Sequence, residues 1–545
     1  MTNTLLTLHD PAAARRYYAE GLWREDTLYT LLQKHAAERP EAAALRDATR
    51  RLSWAELLRA VDAVAADLDA AGLKRGERVA VWLPNRVEAV VVFLACSRQG
   101  FVCNPSLHQN YTVAEIVALL ERTRAAALLA QPGYGADART ADIFAAASAL
   151  PFLRKIYSLD GAAAAPFPTE AVDPPPPASD ADSIVYLAFT SGTTGTPKGV
   201  MHSANTLFAN ARAMVADWRH DHSTVLLSLS PLSHHIATVA IAQATLAGME
   251  LVVNSPPRGM TPLDWIVETG ATYVMGVPTH AMDILAELRR RHLDRLGQVR
   301  TFYMAGSVIP REVAQAFMDR GVVPQNVYGM SENSSHQYTL PGDSPETIVA
   351  TCGRACAAYE IRLFDPENPD LEAAPGEIGE IGGRGACLTL GYFDNQRATE
   401  DSFNRSGWFL SGDLGRLDGD GNLEIVGRKK DLIIRGGHNI HPARIEELAM
   451  RHKAVARCAA FAVADERLGE KVCLSVICHP GESVEADAML AHLHAQGLSR
   501  YDMPEYFIAL DAYPLTASGK ILKRELVDWA KSGRISPSPM RWTGG

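Results

Sequence analysis

Apolar positions along the first 150 residues alternate between two periods. From Leu52 to Leu73 they recur at helical spacing, and Arg78–Arg86 reads as a short buried strand closed by Pro84-Asn85. Helical patterns follow over 86–100 and 112–123, then a strand-like run over 125–130. Such alternation predicts an α/β domain with a largely parallel sheet. Residues 161–180 carry runs of alanine and proline and read as a surface loop or linker, beyond which the α/β pattern resumes to about residue 340. From Gly353 the texture changes to short strands with glycine-rich turns, at Glu360–Asp365, Gly379–Gly385 and Asn422–Gly427. A smaller α+β unit then follows: a helix from Pro442, strands over 458–463 and 471–478, and a helix over 484–496. The expected architecture is a large N-terminal α/β domain over 1–431, with a β-rich subdomain over 353–431, and a mobile α+β C-terminal domain over 432–545.

Composition narrows the function classes. Hydrophobic residues make up 47% and charged residues 21% of 545, which excludes a disordered chain. The 53 basic and 63 acidic side chains leave a net charge of −10, unsuited to coating nucleic acid, so an anionic ligand needs a local site. Eight scattered cysteines, with no Cys-x-x-Cys, fit neither a disulfide scaffold nor a zinc site; they read as buried thiols in a reducing compartment. The start of the chain lacks the basic and apolar regions of a signal peptide, and no apolar run is long enough to span a bilayer. A cytoplasmic enzyme is expected, with a homodimer allowed for.

The sharpest chemical signal is Thr190-Ser191-Gly192-Thr193-Thr194-Gly195-Thr196-Pro197-Lys198-Gly199, fed by the strand-like run Ile184–Phe189. Glycines let consecutive N–H groups turn inward, hydroxyls donate further bonds, and Lys198 adds a point charge. Those are the needs of a polyphosphate. No Walker A pattern fits the run.

This loop resembles the phosphate loop of the adenylate-forming enzymes: acyl-CoA synthetases, luciferases and the adenylation domains of peptide synthetases. Tyr328-Gly329-Met330-Ser331-Glu332, Gly407–Asp413, Gly427–Asp431 and Leu515–Lys520 are similar to further motifs of that family, in the same order. The resemblance runs from about residue 45 to 530 and implies the family's fold, with ATP, Mg²⁺ and coenzyme A as ligands. It implies that Thr190 and Glu332 hold the metal, a hard cation suited to oxygen donors. Tyr328 would face the adenine, bordered by Gly306, Ser307 and Val308. Asp413 and Arg428 would hold the ribose. Lys520 would balance charge where a carboxylate attacks the α-phosphate, a task for a compact ammonium. Asp431 corresponds to the hinge, and Arg435-Gly436-Gly437 to the loop lining the pantetheine tunnel.

By position relative to these motifs, His234 serves catalysis, and His234, His235, Tyr273, Met275 and Met304 should line an acyl pocket of mixed aromatic and methionine character. Two departures from the family pattern stand out: Ser233 and Ala237 around His234, and Arg444 where a glutamate is common. Later segments are most similar to cyclohexanecarboxylate-type CoA ligases, which points to a carboxylate–CoA ligase for an alicyclic, aromatic or medium-chain acid. Two alternatives stay open: an aryl-acid adenylating enzyme that loads a carrier protein, and a non-catalytic nucleotide-binding module.

Overall fold

The computed structural model describes residues 5–160, 167–168, 174–190, 197–306, 309–516 and 520–542. The chain divides into two units, one built from Met1–Gly192, Thr196–Glu360 and Arg384–Asp401, the other from Ile361–Gly383 and Ser402–Gly545.

Local signals set the element ends in the first unit. The helical pattern over 52–73 resolves into a strand, Arg51–Ser53, and a helix, Trp54–Ala70, because Ser53 and Glu56 form a capping box at the junction. Thr112 and Glu115 do the same for Val113–Thr123, and Gly100 at φ +70° ends Val87–Gln99. Two sheets carry the unit. In the six-stranded sheet the order is Lys155–Ser158, Ala127–Ala130, Arg78–Trp82, Val102–Asn104, Ile184–Thr190 and Lys198–Ser203. All its pairs are parallel except the last, an antiparallel hairpin. The nine-stranded sheet has a parallel centre in the order Ala43–Arg46, Glu250–Val253, Val225–Ser228, Tyr273–Gly276, Thr301–Met304 and Val323–Met330. Antiparallel strands close its edges. The largely parallel α/β architecture read from periodicity is the one observed.

In the second unit, Phe409–Leu417 and Leu423–Arg428 pair antiparallel within a four-stranded sheet. The strands expected over 458–463 and 471–478 extend to Val455–Asp465 and Gly469–Cys478, in antiparallel pairing. The helix Pro442–Met450 packs on them and pins its Glu446 carboxylate with Lys523 Nζ at 2.7 Å and the Ala460 N–H at 2.7 Å. Arg444 pairs instead with Glu447, at 2.6 Å. All eight cysteines are free. Among the described residues, no helix is long and apolar enough to cross a membrane.

Candidate active site

The loop of hydroxyls and glycines joins the two strands of a hairpin. Ile184–Thr190 is buried over its first six residues and pairs antiparallel with Lys198–Ser203, bringing Thr190 opposite Lys198. Ser191, Gly192, Thr193, Thr194 and Gly195 lie outside the described residues. The Lys198 ammonium sits over the Tyr392 ring, 4.6 Å from its centroid. The Tyr392 hydroxyl donates to Glu332 Oε1 at 2.9 Å. Tyr392 thus joins the loop's cation to the carboxylate expected to hold the metal, and Glu332 is buried. Residues 389–393 are held beside the hairpin by Leu390 N–H to Met201 O and Phe393 N–H to Gly199 O. Sequence reasoning missed Tyr392; its only signal was its place directly after Gly391.

Tyr328 is buried and meets His336 edge-on, with ring centroids 5.5 Å apart. After it the chain turns tightly: Met330 N–H donates to Asn333 Oδ1 at 3.0 Å, and the Ser331 carbonyl lies 2.6 Å from His202 Nε2. A Cβ on Gly329 would stand 1.8 Å from the Ser334 carbonyl oxygen, so the motif's glycine is demanded by backbone approach. Gly306 follows the strand Thr301–Met304 with φ +94°. Ser307 and Val308 lie outside the described residues. Burial pushes His202 down to about 4 and His336 to about 3, so both rings are neutral near pH 7.

His234 stands at the N-cap position of the helix His235–Ala247 without a side-chain capping bond, and its ring lies edge-on to His108, 4.8 Å away. Ser233, one of the two departures, is explained here: its hydroxyl lies 2.9 Å from His108 Nδ1, a residue the sequence had not marked. The His235 nitrogens lie 3.3 Å from the Tyr186 hydroxyl and 3.0 Å from Ser334 Oγ. Desolvation, followed by the neighbouring His202, pushes His235 well below the usual histidine range. Tyr273 and Met275 share one face of their strand. Met304 does not join them. It packs with Leu227, Val274, Phe302 and Phe317, whereas its neighbour Tyr303 bonds Ser335 at 2.7 Å. Strand alternation turns Met304 away from the expected pocket.

The second unit carries the remaining residues. Asp413 and Arg428 are register partners across their hairpin, with Arg428 Nε 3.1 Å from Asp413 Oδ1. Lys429–Asp431 form one 3₁₀ turn. Gly436 and Gly437, at φ +59° and +86°, make a two-residue hairpin turn between Ile433–Arg435 and His438–Ile440. A Cβ on Gly437 would meet nothing within 4 Å. Arg435, expected beside them in a tunnel wall, spends its guanidinium on Glu505 at 2.5 Å and on the Tyr501 carbonyl. Lys520 is exposed, and its N–H donates to Thr516 Oγ1 at 3.0 Å.

Residues 32–393 match the family described as AMP-binding enzyme, and residues 444–520 match the AMP-binding enzyme C-terminal domain. The chain is similar to the medium-chain fatty-acid–CoA ligase of Escherichia coli (strain K12), with 31% identity over 522 residues, 93% of this chain and 91% of that one. It is also similar to the feruloyl-CoA synthase of an Amycolatopsis species, with 32% identity over 495 residues, 90% of this chain and 97% of that one. Among solved structures it resembles the o-succinylbenzoate CoA synthetase of Bacillus subtilis in complex with ATP and magnesium ion. There the TM-score is 0.80 at 26% identity, covering 92% of this chain and 100% of that one.

Proposed function

The chain belongs to the AMP-binding enzymes and is an acid–thiol ligase, and on that premise we propose that it activates an alicyclic, aromatic or medium-chain carboxylic acid for transfer to coenzyme A. A carboxylate oxygen attacks the α-phosphorus of ATP, and the bond to the β-phosphate breaks as pyrophosphate leaves. The thiol sulfur then attacks the acyl carbonyl, its proton is lost to solvent, and AMP leaves with the electron pair of the acyl–phosphate bond.

The observation that carries this reading is the run from the Lys198 ammonium through Tyr392 to the buried Glu332 carboxylate. It sets a cation and an anionic oxygen beside one loop, as polyphosphate with a divalent cation requires. Glu332 and the Thr190 hydroxyl fit Mg²⁺, because one carboxylate and a neutral oxygen leave room for the waters and phosphate oxygens that this ion keeps. When bound, the ion offsets phosphate charge. Tyr328 and Gly306 are assigned to the adenine, and Asp413 with Arg428 to the ribose, where the carboxylate accepts and the guanidinium donates. His234 borders the acid. Asp431 is assigned the hinge between the domains over 1–431 and 432–545, with the open turn at Gly436-Gly437 as the approach for pantetheine.

Lys520→Ala tests the reading. Pyrophosphate release with a panel of acids should fall about 100- to 1,000-fold, the scale of losing one charge-stabilising donor. Acyl-CoA formation from a supplied acyl-adenylate should stay within a few-fold of wild type. Equal loss in both steps, or no acyl-CoA from the wild-type enzyme by mass spectrometry, would overturn it.

A further inference from the structure

The acyl side of the first unit holds more polar atoms than an apolar pocket needs. Gln243, in the helix His235–Ala247, and Gln325, in the strand Val323–Met330, are both fully buried. Gln325 Oε1 accepts from the Tyr273 hydroxyl at 2.7 Å. Gln243 Nε2 donates to Met275 Sδ at 3.5 Å, a weak acceptor. The other end of each amide, Gln243 Oε1 and Gln325 Nε2, is buried with no hydrogen-bond partner. Leaving a buried donor and a buried acceptor unpaired forfeits their hydration with nothing in return.

The side chains that hold them lie on one face of the sheet. Parallel register sets Met275 beside Tyr303 and Tyr303 beside Gln325, and Tyr273 is two residues from Met275 on the same side of its strand. Gln243 reaches that face through its contact with Met275. It lies eight residues past His235, about 12 Å along the helix. Gln325 lies three residues before Tyr328, about 10 Å along the strand. Val239, four residues from each, lies between His235 and Gln243 on that helical stripe.

We infer that Gln243 and Gln325 form the floor of the acyl site and that the preferred acid carries a hydroxyl at its far end, about 10 Å from the carboxylate. Of hydroxyl, carboxylate, ammonium and methyl termini, only the hydroxyl meets both amides: it donates to Gln243 Oε1 and accepts from Gln325 Nε2. A terminal carboxylate has no proton for the first, an ammonium no lone pair for the second, and a methyl neither. This deepens, and rests on, the adenylation reading. It favours elongated hydroxylated acids over cyclohexanecarboxylate.

The test compares matched pairs in pyrophosphate release by the wild-type enzyme: octanoate against 8-hydroxyoctanoate, and cinnamate against 4-hydroxycinnamate, with benzoate and hexanoate as short references. The hydroxylated member should win by at least about 30-fold in kcat/KM in one pair, since a site built to bond a hydroxyl rejects the analogue lacking it. Gln243→Leu and Gln325→Leu should each bring that ratio near one while the KM for ATP stays put. Equal or better use of the plain acids, activation of benzoate and hexanoate alone, or a preference that survives both substitutions would overturn the hydroxyl inference and leave adenylation standing. No pyrophosphate from any acid would overturn the adenylation reading itself, and the inference with it.

Discussion

At Tyr392 the ring and the hydroxyl are committed separately, the ring to the Lys198 ammonium and the hydroxyl to Glu332. Tyr392→Phe therefore removes one contact and keeps the other. A hydrogen bond to a charged acceptor is worth about 1.5–3 kcal/mol, so the KM for ATP should rise about ten-fold or more. Acyl-CoA formation from a supplied acyl-adenylate should hardly change. Steady-state kinetics of both steps would check this, and an unchanged KM for ATP would detach Tyr392 from the nucleotide. The residue scale is also where one position decides a role. Met275 meets Gln243, while Met304, of the same chemical type on the adjacent strand, packs among the apolar side chains of another cluster.

At the scale of elements, tight turns do the positioning. The turn after Tyr328 carries Glu332 and is held by Asn333 and His202, and it closes only because Gly329 has no side chain. Gly329→Ala would drive a methyl into the Ser334 backbone. Overpacking of this kind costs about 1–3 kcal/mol, and adenylation should fall with it because Tyr328 and Glu332 flank the displaced strand. Gly342→Ala, where an added Cβ meets nothing within 4 Å, serves as the control and should be near neutral. Paired denaturation curves and kcat values decide it; a Gly329→Ala enzyme as stable and active as the control would remove the steric argument. The helices Trp54–Ala70 and Val113–Thr123 were legible in the sequence as apolar periodicity, and the capping boxes Ser53–Glu56 and Thr112–Glu115 fix where they start. The strand Lys198–Ser203 was not, because its pairing with Ile184–Thr190 is a tertiary choice.

Across the whole molecule, several histidines are buried neutral. His108, His202 and His220 are pushed by burial to about 4, and His336 to about 3. Unfolded, each takes up a proton near pH 6.5. Between pH 6.5 and 4 the unfolded chain therefore binds protons that the folded chain refuses, so stability is full above 6.5 and falls with pH through that window. Each such histidine adds a slope of up to about 1.4 kcal/mol per pH unit. Urea midpoints should drop from pH 7 to pH 5, and His336→Phe, which removes one of these groups, should make the decline shallower by about one proton; an identical slope would exclude that ring. The sequence by itself determined the α/β alternation and the anion-holding character of the loop over 190–199, because periodicity and loop composition act within a few residues, while its resemblance to the adenylate-forming enzymes supplied the roles of the other motifs. Only the tertiary structure decided that Tyr392 bridges Lys198 and Glu332, that Ser233 answers to His108, that Met304 faces away, and that Gln243 and Gln325 bond Met275 and Tyr273 of one strand. Those contacts join residues distant in the chain, and they depend on strand order and register, which no local pattern encodes.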